Sequence, residues 1–232
     1  MLRRVLIANR GEIAIRIARA AAGLGMESVA VHAPVDAHAL HTRVASQSRP
    51  LPLDGVAGYL DQDALVRAAL AAGCDCVHPG YGFLAEHAGF AEACIAAGLT
   101  FVGPRPETIR LFGDKLAARA LARSLGIPVT PGSSEPVGSV DEATAQARAI
   151  GFPVMLKAAA GGGGRGIRRV DGAAQMAEAF ARCQSEALAA FGDGAVFVER
   201  LVERARHVEV QILADGAGNV VHLHERDCSV QA

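Results

Sequence analysis

The sequence predicts an α/β fold in two parts: an open parallel sheet first, then an α+β module built on an antiparallel sheet. Three observations carry this. Short apolar runs alternate with helix-period segments over the first hundred or so residues, polar and glycine-rich turns follow those runs, and later two apolar segments flank a run of glycines. A strand, helix, strand succession favours parallel pairing with right-handed crossovers.

Arg4-Val-Leu-Ile-Ala8 has the length and character of a buried strand. Asn9-Arg10-Gly11-Glu12 turns it into a helix with Ile13, Ile17, Ala20 and Leu24 on one face, and Gly25 stops that helix. Residues 27–32 form the next strand. Asp61 opens a helix to Ala72, and a strand over 74–78 ends in Pro79-Gly80-Tyr81-Gly82. A helix over 86–97 then leads to a strand at 99–102 and the exit Gly103-Pro104. The polar turns fall after strand ends, where open α/β sheets hold ligands. Arg10 suits either an anion near a helix start or a salt-bridged tight turn. Tyr81 suits either a ligand contact or a cap on the sheet edge. Gly-x-Gly-x-x-Gly is missing from the first turn, so a dinucleotide site has little support.

Asp114 is placed to cap a helix over 115–125, which Gly126, Ile127 and Pro128 terminate. Lys115 lies in its first turn, where a cation opposes the helix dipole. This is a hint of function beside the plain alternative of a solvated lysine. Pro131-Gly-Ser-Ser-Glu-Pro136 reads as an internal boundary, and Ser139-Val-Asp-Glu142 is a capping box for a helix to about 150. The glycine run follows Lys157 directly: Ala-Ala-Ala-Gly161-Gly162-Gly163-Gly164-Arg165-Gly166. Four glycines permit positive φ and close backbone approach, so successive N–H groups can face an anion while Lys157 and Arg165 supply charge. A flexible linker is the rival reading. The strand-like flanks at 152–156 and 167–170 favour the tip of a hairpin. A helix over 173–191, a strand over 195–199 and an alternating segment over 206–213 follow. Asp215-Gly-Ala-Gly-Asn219 then turns the chain into a last strand over 220–225. The alternating segment fits a half-solvated strand with one apolar face.

Composition narrows the class. The chain has 232 residues, 51% of them hydrophobic, and a net charge of -1, so it can bury a substantial core and has no basic field for nucleic acid or a membrane surface. No apolar run reaches spanning length, and the N-terminal apolar stretch is too short for a signal peptide, which points to the cytoplasm. Five cysteines with no zinc-type spacing argue against a disulfide framework or a metal site, and the absence of Trp weakens any stacking platform for single strands.

Seven motifs together resemble biotin carboxylase: Ile7-Ala-Asn-Arg-Gly-Glu-Ile-Ala14, His78-Pro-Gly-Tyr-Gly-Phe-Leu84, Phe101-Val-Gly-Pro104, Gly113-Asp-Lys115, the Lys157 glycine run, Arg206-His-Val-Glu-Val-Gln211 and Glu225-Arg-Asp-Cys-Ser229. The resemblance implies a pre-ATP-grasp, Rossmann-like domain over 1–113. An incomplete ATP-grasp domain follows over 114–232, with a glycine-loop lid over about 132–202. It implies an enzyme that uses ATP and Mg2+ to activate bicarbonate as carboxyphosphate and then carboxylates biotin on a carrier domain. A carboxyl-transferase domain or subunit is the further partner. By this similarity Lys115 and Lys157 bind nucleotide phosphates, Gly163 and Gly164 close over them, and Glu199, Arg200, Leu201 and Val202 hold the adenine. His207 lies near ribose and phosphates, Gln231 reaches the ribose, and Tyr81 and Gly82 lie near biotin. Arg16 and Arg19, together on the first helix, suit a homo-oligomer interface or a solvated face.

Two departures stand out. Ala45-Ser-Gln-Ser48 replaces an acidic stretch, and the chain ends at Ala232 before the family's basic Arg-Arg-His-Gln-Lys segment. The catalytic residues and magnesium ligands are therefore expected beyond Ala232. The rival readings are a noncatalytic nucleotide-binding or fragment-pairing module and an ATP-grasp ligase for another carboxylate. The 232-residue polypeptide by itself is expected to show no biotin carboxylation. ATP turnover by the purified chain that depends on free biotin and bicarbonate would overturn this.

Overall fold

The computed structural model describes residues 2–160 and 166–230. They fall into two compact units, Met1–Leu121 and Ala122–Ala232.

The first unit begins with β1 (Arg4–Ile7), α1 (Gly11–Gly23) and β2 (Glu27–His32). A 3-10 turn at Pro34–Asp36 leads to α2 (Leu40–Val44), β3 (Gln47–Pro50), α3 (Gly55–Leu60) and α4 (Gln62–Ala71). β4 (Cys76–His78), α5 (Ala88–Ala96), β5 (Thr100–Phe101) and α6 (Pro106–Gly113) complete it, and α7 (Lys115–Ser124) runs across the division. The five strands are all parallel, in the order β3-β2-β1-β4-β5. β1 is central and buried from Val5 to Ile7, as a strand covered on both faces must be.

Helix α1 confirms the predicted element and half of the predicted face: Ile17 is buried and Ile13 packs against the same cluster. Ala14, Ile17, Ala18 and Ala21 are buried, while Ala20 and Leu24 are exposed. The small alanines let the helix backbone lie close over Ile7, Val5 and Cys76, which the larger Leu24 could not do. Stretch 45–48 also gains a role. Ser46 and Ser28 exchange backbone-to-hydroxyl bonds at 3.1 and 3.2 Å, which fastens the entry of edge strand β3 to β2.

The second unit contains α8 (Val140–Ile150), β6 (Val154–Ala158), β7 (Ile167–Val170), a 3-10 turn at Ala173–Gln175 and α9 (Met176–Phe191). β8 (Val196–Arg200), β9 (Val208–Ala214) and β10 (Val220–Asp227) follow. β7, β6 and β8 make a three-stranded antiparallel sheet, and β9 and β10 a separate hairpin. The glycine run therefore joins two antiparallel neighbours, as a hairpin connection does. The capping box is present in modified form. Ser139 Oγ accepts from the Glu142 N–H at 3.1 Å, and Glu142 reaches back one residue further, to the Gly138 N–H at 2.8 Å. Val154, Leu156, Phe180, Cys183, Val196 and Val198 are among the core side chains between sheet and helices.

Two expectations are corrected. The internal boundary read at 131–136 falls inside the second unit, where the start of this stretch is bonded to β8. Gly132 and Val137 bridge to Glu199 and Val196, the Arg200 N–H donates to the Pro131 carbonyl, and buried Ser133 both donates its N–H to Val198 and accepts from it. The apolar side of β9, carrying Val208, Val210 and Ile212, is exposed among the described residues rather than half-buried.

Burial holds His41 and His78, both in the first unit, below the ordinary histidine range, so both are neutral in the fold. The unfolded chain takes up these protons near pH 6.5, so their contribution is complete above that pH and is lost as the pH falls below it. The urea midpoint should therefore drop between pH 7.5 and 5.5, at up to about 1.4 kcal/mol per histidine per pH unit. His41→Gln should flatten the slope.

Candidate functional site

The strand order reverses between β1 and β4, so the chain leaves their carboxyl ends in opposite directions and opens a crevice there. Asn9 holds its two walls together. Its side chain is buried after β1, and Nδ2 donates at 2.8 Å to the carbonyls of both Pro79 and Tyr81 beyond β4. Oδ1 accepts from the Arg10 N–H at 2.8 Å. Gly80 is required at this point: its φ is +68°, and a Cβ there would lie 2.7 Å from Asn9 Nδ2. The Gly80 N–H in turn donates to His78 Nδ1 at 3.0 Å, which leaves the proton of the neutral ring on Nε2.

Asn9, Arg10, Gly11, Glu12 and Ile13 line one side of the resulting cleft, and Tyr81, Gly82 and Phe83 the other. The Tyr81 ring is largely exposed and its hydroxyl donates to Glu12, a contact that raises the phenol above its ordinary range. Arg10 takes the salt-bridged alternative: Nη2 pairs with Asp36 Oδ1 at 2.8 Å. Its charge is thereby largely neutralised, which weakens the anion reading of this turn.

In the second unit the structure brings two predicted site residues together. Lys157 on β6 and Glu199 on β8 lie diagonally across paired strands, with Lys157 opposite Phe197 and Met155 opposite Glu199. Lys157 Nζ and Glu199 Oε2 are 2.8 Å apart and partly buried. Beyond Glu199, the N–H groups of Arg200 and Leu201 donate to the carbonyls of Pro131 and Pro153, so they fasten the strand end. Val202 is exposed. His207 exposes its imidazole 4.0 Å from Glu209, while its backbone is tied to Ser229 Oγ and to the Cys228 N–H. Lys115 opens α7 immediately after Asp114, whose carboxylate caps that helix through the N–H groups of Leu116 and Ala117. Gly163, Gly164 and Gln231 lie outside the described residues. Among the described residues no group of three or more His, Cys, Asp or Glu is placed to hold a metal ion.

Sequence reasoning missed Asn9 as a brace, and missed Asp36 and Tyr59 altogether. The Asn9 signal lay in the pairing of a buried-strand exit with a glycine turn seventy residues on. Asp36 and Tyr59 sit in a region of short elements with no sustained periodicity.

An open parallel sheet with a crevice at its reversal, followed by an antiparallel sheet with a glycine hairpin, is the architecture of the ATP-grasp class. The comparisons agree. Residues 1–109 match the family model "Biotin carboxylase, N-terminal domain", and 114–232 match "Carbamoyl-phosphate synthase L chain, ATP binding domain". The chain belongs to the biotin carboxylase family, carrying its N-terminal and ATP-binding domain sequences. It is 48% identical over 232 residues to a biotin carboxylase of Halalkalibacterium halodurans, covering 100% of this chain and 51% of that protein. It is 51% identical over 230 residues to pyruvate carboxylase 1 of Caenorhabditis elegans, covering 98% of this chain and 20% of that protein. The chain thus spans about half the length of the biotin carboxylases it matches and a fifth of the pyruvate carboxylases. A crystal structure of the biotin carboxylase domain dimer of Hydrogenobacter thermophilus 2-oxoglutarate carboxylase, with MgADP, ADP and bicarbonate, superposes with a TM-score of 0.96. It is 42% identical, over 100% of this chain and 51% of that one.

Asn9→Ala removes three hydrogen bonds and strips two carbonyls of their donor. It should cost about 2 kcal/mol of stability, read from the urea midpoint. It should also change the environment of Tyr81, read from its ring resonances in NMR spectra.

Proposed function

We propose that this chain supplies the nucleotide-binding part of a biotin carboxylase and acts, within a biotin-dependent carboxylase, in the ATP-dependent carboxylation of biotin by bicarbonate. The division of labour follows the segments 1–113 and 114–232, with the lid over about 132–202. The observation that carries the reading is the Lys157–Glu199 pair at the root of the glycine hairpin. A lysine held by a carboxylate on the neighbouring strand is fixed in position and still has N–H donors for a phosphate oxygen. Glu199 in turn orients the cation and presents an acceptor beside the strand exit, where an adenine amino group would be recognised. Arg200 and Leu201 act by fixing the strand end through their N–H groups. Val202, next along and exposed, offers backbone to a base edge. Lys115 is a second cation for phosphate oxygens and His207 a contact for ribose or phosphate, with Gly163, Gly164 and Gln231 completing the set.

In that reaction ATP would supply the activating phosphoryl group and Mg2+ would neutralise charge on its phosphates. What the chain itself contributes is position and charge, which dominate in phosphoryl chemistry. The switch-point cleft, with Tyr81 and Gly82, is assigned to the biotin side. A carrier domain bearing biotin and a carboxyl-transferase domain or subunit are the partners. The neighbour described as a dimer supports self-association, and the α1 face that bears Arg16 and Arg19 is the surface assigned to it here.

Isothermal titration calorimetry with ATP tests the nucleotide assignment. Lys157→Gln should weaken ATP binding by about 10- to 100-fold, the range expected on losing one charge-assisted contact worth about 1.5–3 kcal/mol. An unchanged affinity in a variant with wild-type circular dichroism would remove Lys157 from the site.

A further inference from the structure

Tyr59, on the short helix α3, carries no assigned ligand contact, yet it touches both walls of the switch-point cleft. Its buried ring stacks on Phe83, with centroids 5.4 Å apart and planes 8° from parallel. Phe83 has φ +41°, which a bulky residue adopts only where its surroundings hold it. Phe83 directly follows Tyr81 and Gly82, so the stack secures that turn from the inside. The Tyr59 hydroxyl donates to Asp36 Oδ2 at 2.8 Å and accepts from the Ala33 N–H at 3.2 Å. Asp36 Oδ1 receives Arg10 Nη2, and the guanidinium lies 5.9 Å from the centre of the Tyr59 ring. One side chain therefore joins the loop after β1 to the loop after β4.

We propose that Tyr59 is the positioning residue of this cleft: its ring sets the Tyr81-Gly82-Phe83 turn, and its hydroxyl, through Asp36, sets Arg10 and with it the start of α1. Burial pushes the Tyr59 phenol up to about 12, so its proton stays in place throughout the neutral range. The link to biotin rests on the function proposed above, but the brace exists whatever the cleft binds.

The chain has two tyrosines and no Trp, so NMR with tyrosine labelled at Cζ gives two resonances, and Tyr81 is the sole one in any Tyr59 variant. At neutral pH, Tyr59→Phe, which keeps the stack, and Asp36→Asn, which keeps Tyr59, should each move the Tyr81 signal toward that of free tyrosine as the Glu12 contact loosens. Tyr59→Leu, which also releases Phe83, should move it further. Leu65→Val lowers stability from the same core at a position that lies in neither loop, and should leave the signal where it is. A Tyr81 resonance at its wild-type position in folded Tyr59→Phe and Asp36→Asn proteins overturns the proposal. So does an equal displacement in Leu65→Val, because Tyr81 would then be reporting only general stability. Millimolar biotin added to the wild-type chain tests the ligand separately: failure to perturb Tyr81 removes biotin from the cleft and leaves the brace standing.

Discussion

The reversal of strand order between β1 and β4, at the centre of the parallel sheet, creates the crevice, and the buried carboxamide of Asn9 keeps it in shape. Two loops that diverge from neighbouring strands would otherwise present unpaired carbonyls to a gap. A single side chain with two N–H donors and one acceptor satisfies three backbone groups at once, and only a glycine at position 80 lets it come close enough. The order of the strands, the requirement for glycine and the exposure of Tyr81 are consequences of one geometrical problem.

The second unit solves a similar problem with charge. Diagonal neighbours on antiparallel strands bring Lys157 and Glu199 together, so a lysine on the strand that leads to the glycine run and a carboxylate near the end of β8 are held by the sheet. Under the proposed function a rigid base matters, because a donor displaced by an ångström loses most of its value in phosphoryl transfer.

Much of this was legible in the sequence, because helices and strands with strong local signals announce themselves. Asp61 and Ser139 cap where their types predict, Gly25 and Gly126 end helices with positive φ, and β2 has its predicted bounds. What escaped was long-range. Residues 131–136 read as a boundary because they are polar and rich in turn formers, yet Pro131, Gly132 and Ser133 are engaged by β8, some sixty residues on, through isolated bonds that leave no periodicity. The face of α1 was read correctly at Ile13 and Ile17 and missed at Ala20 and Leu24, because close packing on the sheet selected Ala14, Ala18 and Ala21 instead. Arg10 illustrates a different limit: its type left an anion site and a salt-bridged turn both open, and its partner, Asp36, which favours the second, lies 26 residues on.

The β9–β10 hairpin has a consequence for how the chain opens. It is joined by its own ladder, by a turn in which Asp215 gathers the N–H groups of Ala217 and Asn219, and by the pairs Arg226–Glu209 and Arg206–Asp227, all solvent-exposed. Among the described residues these two exposed strands are held chiefly by local contacts, which gain little from the burial that makes unfolding all-or-none. Its amides should exchange with solvent through openings independent of either compact core, which makes the hairpin a separate cooperative unit rather than a share of its neighbours' stability.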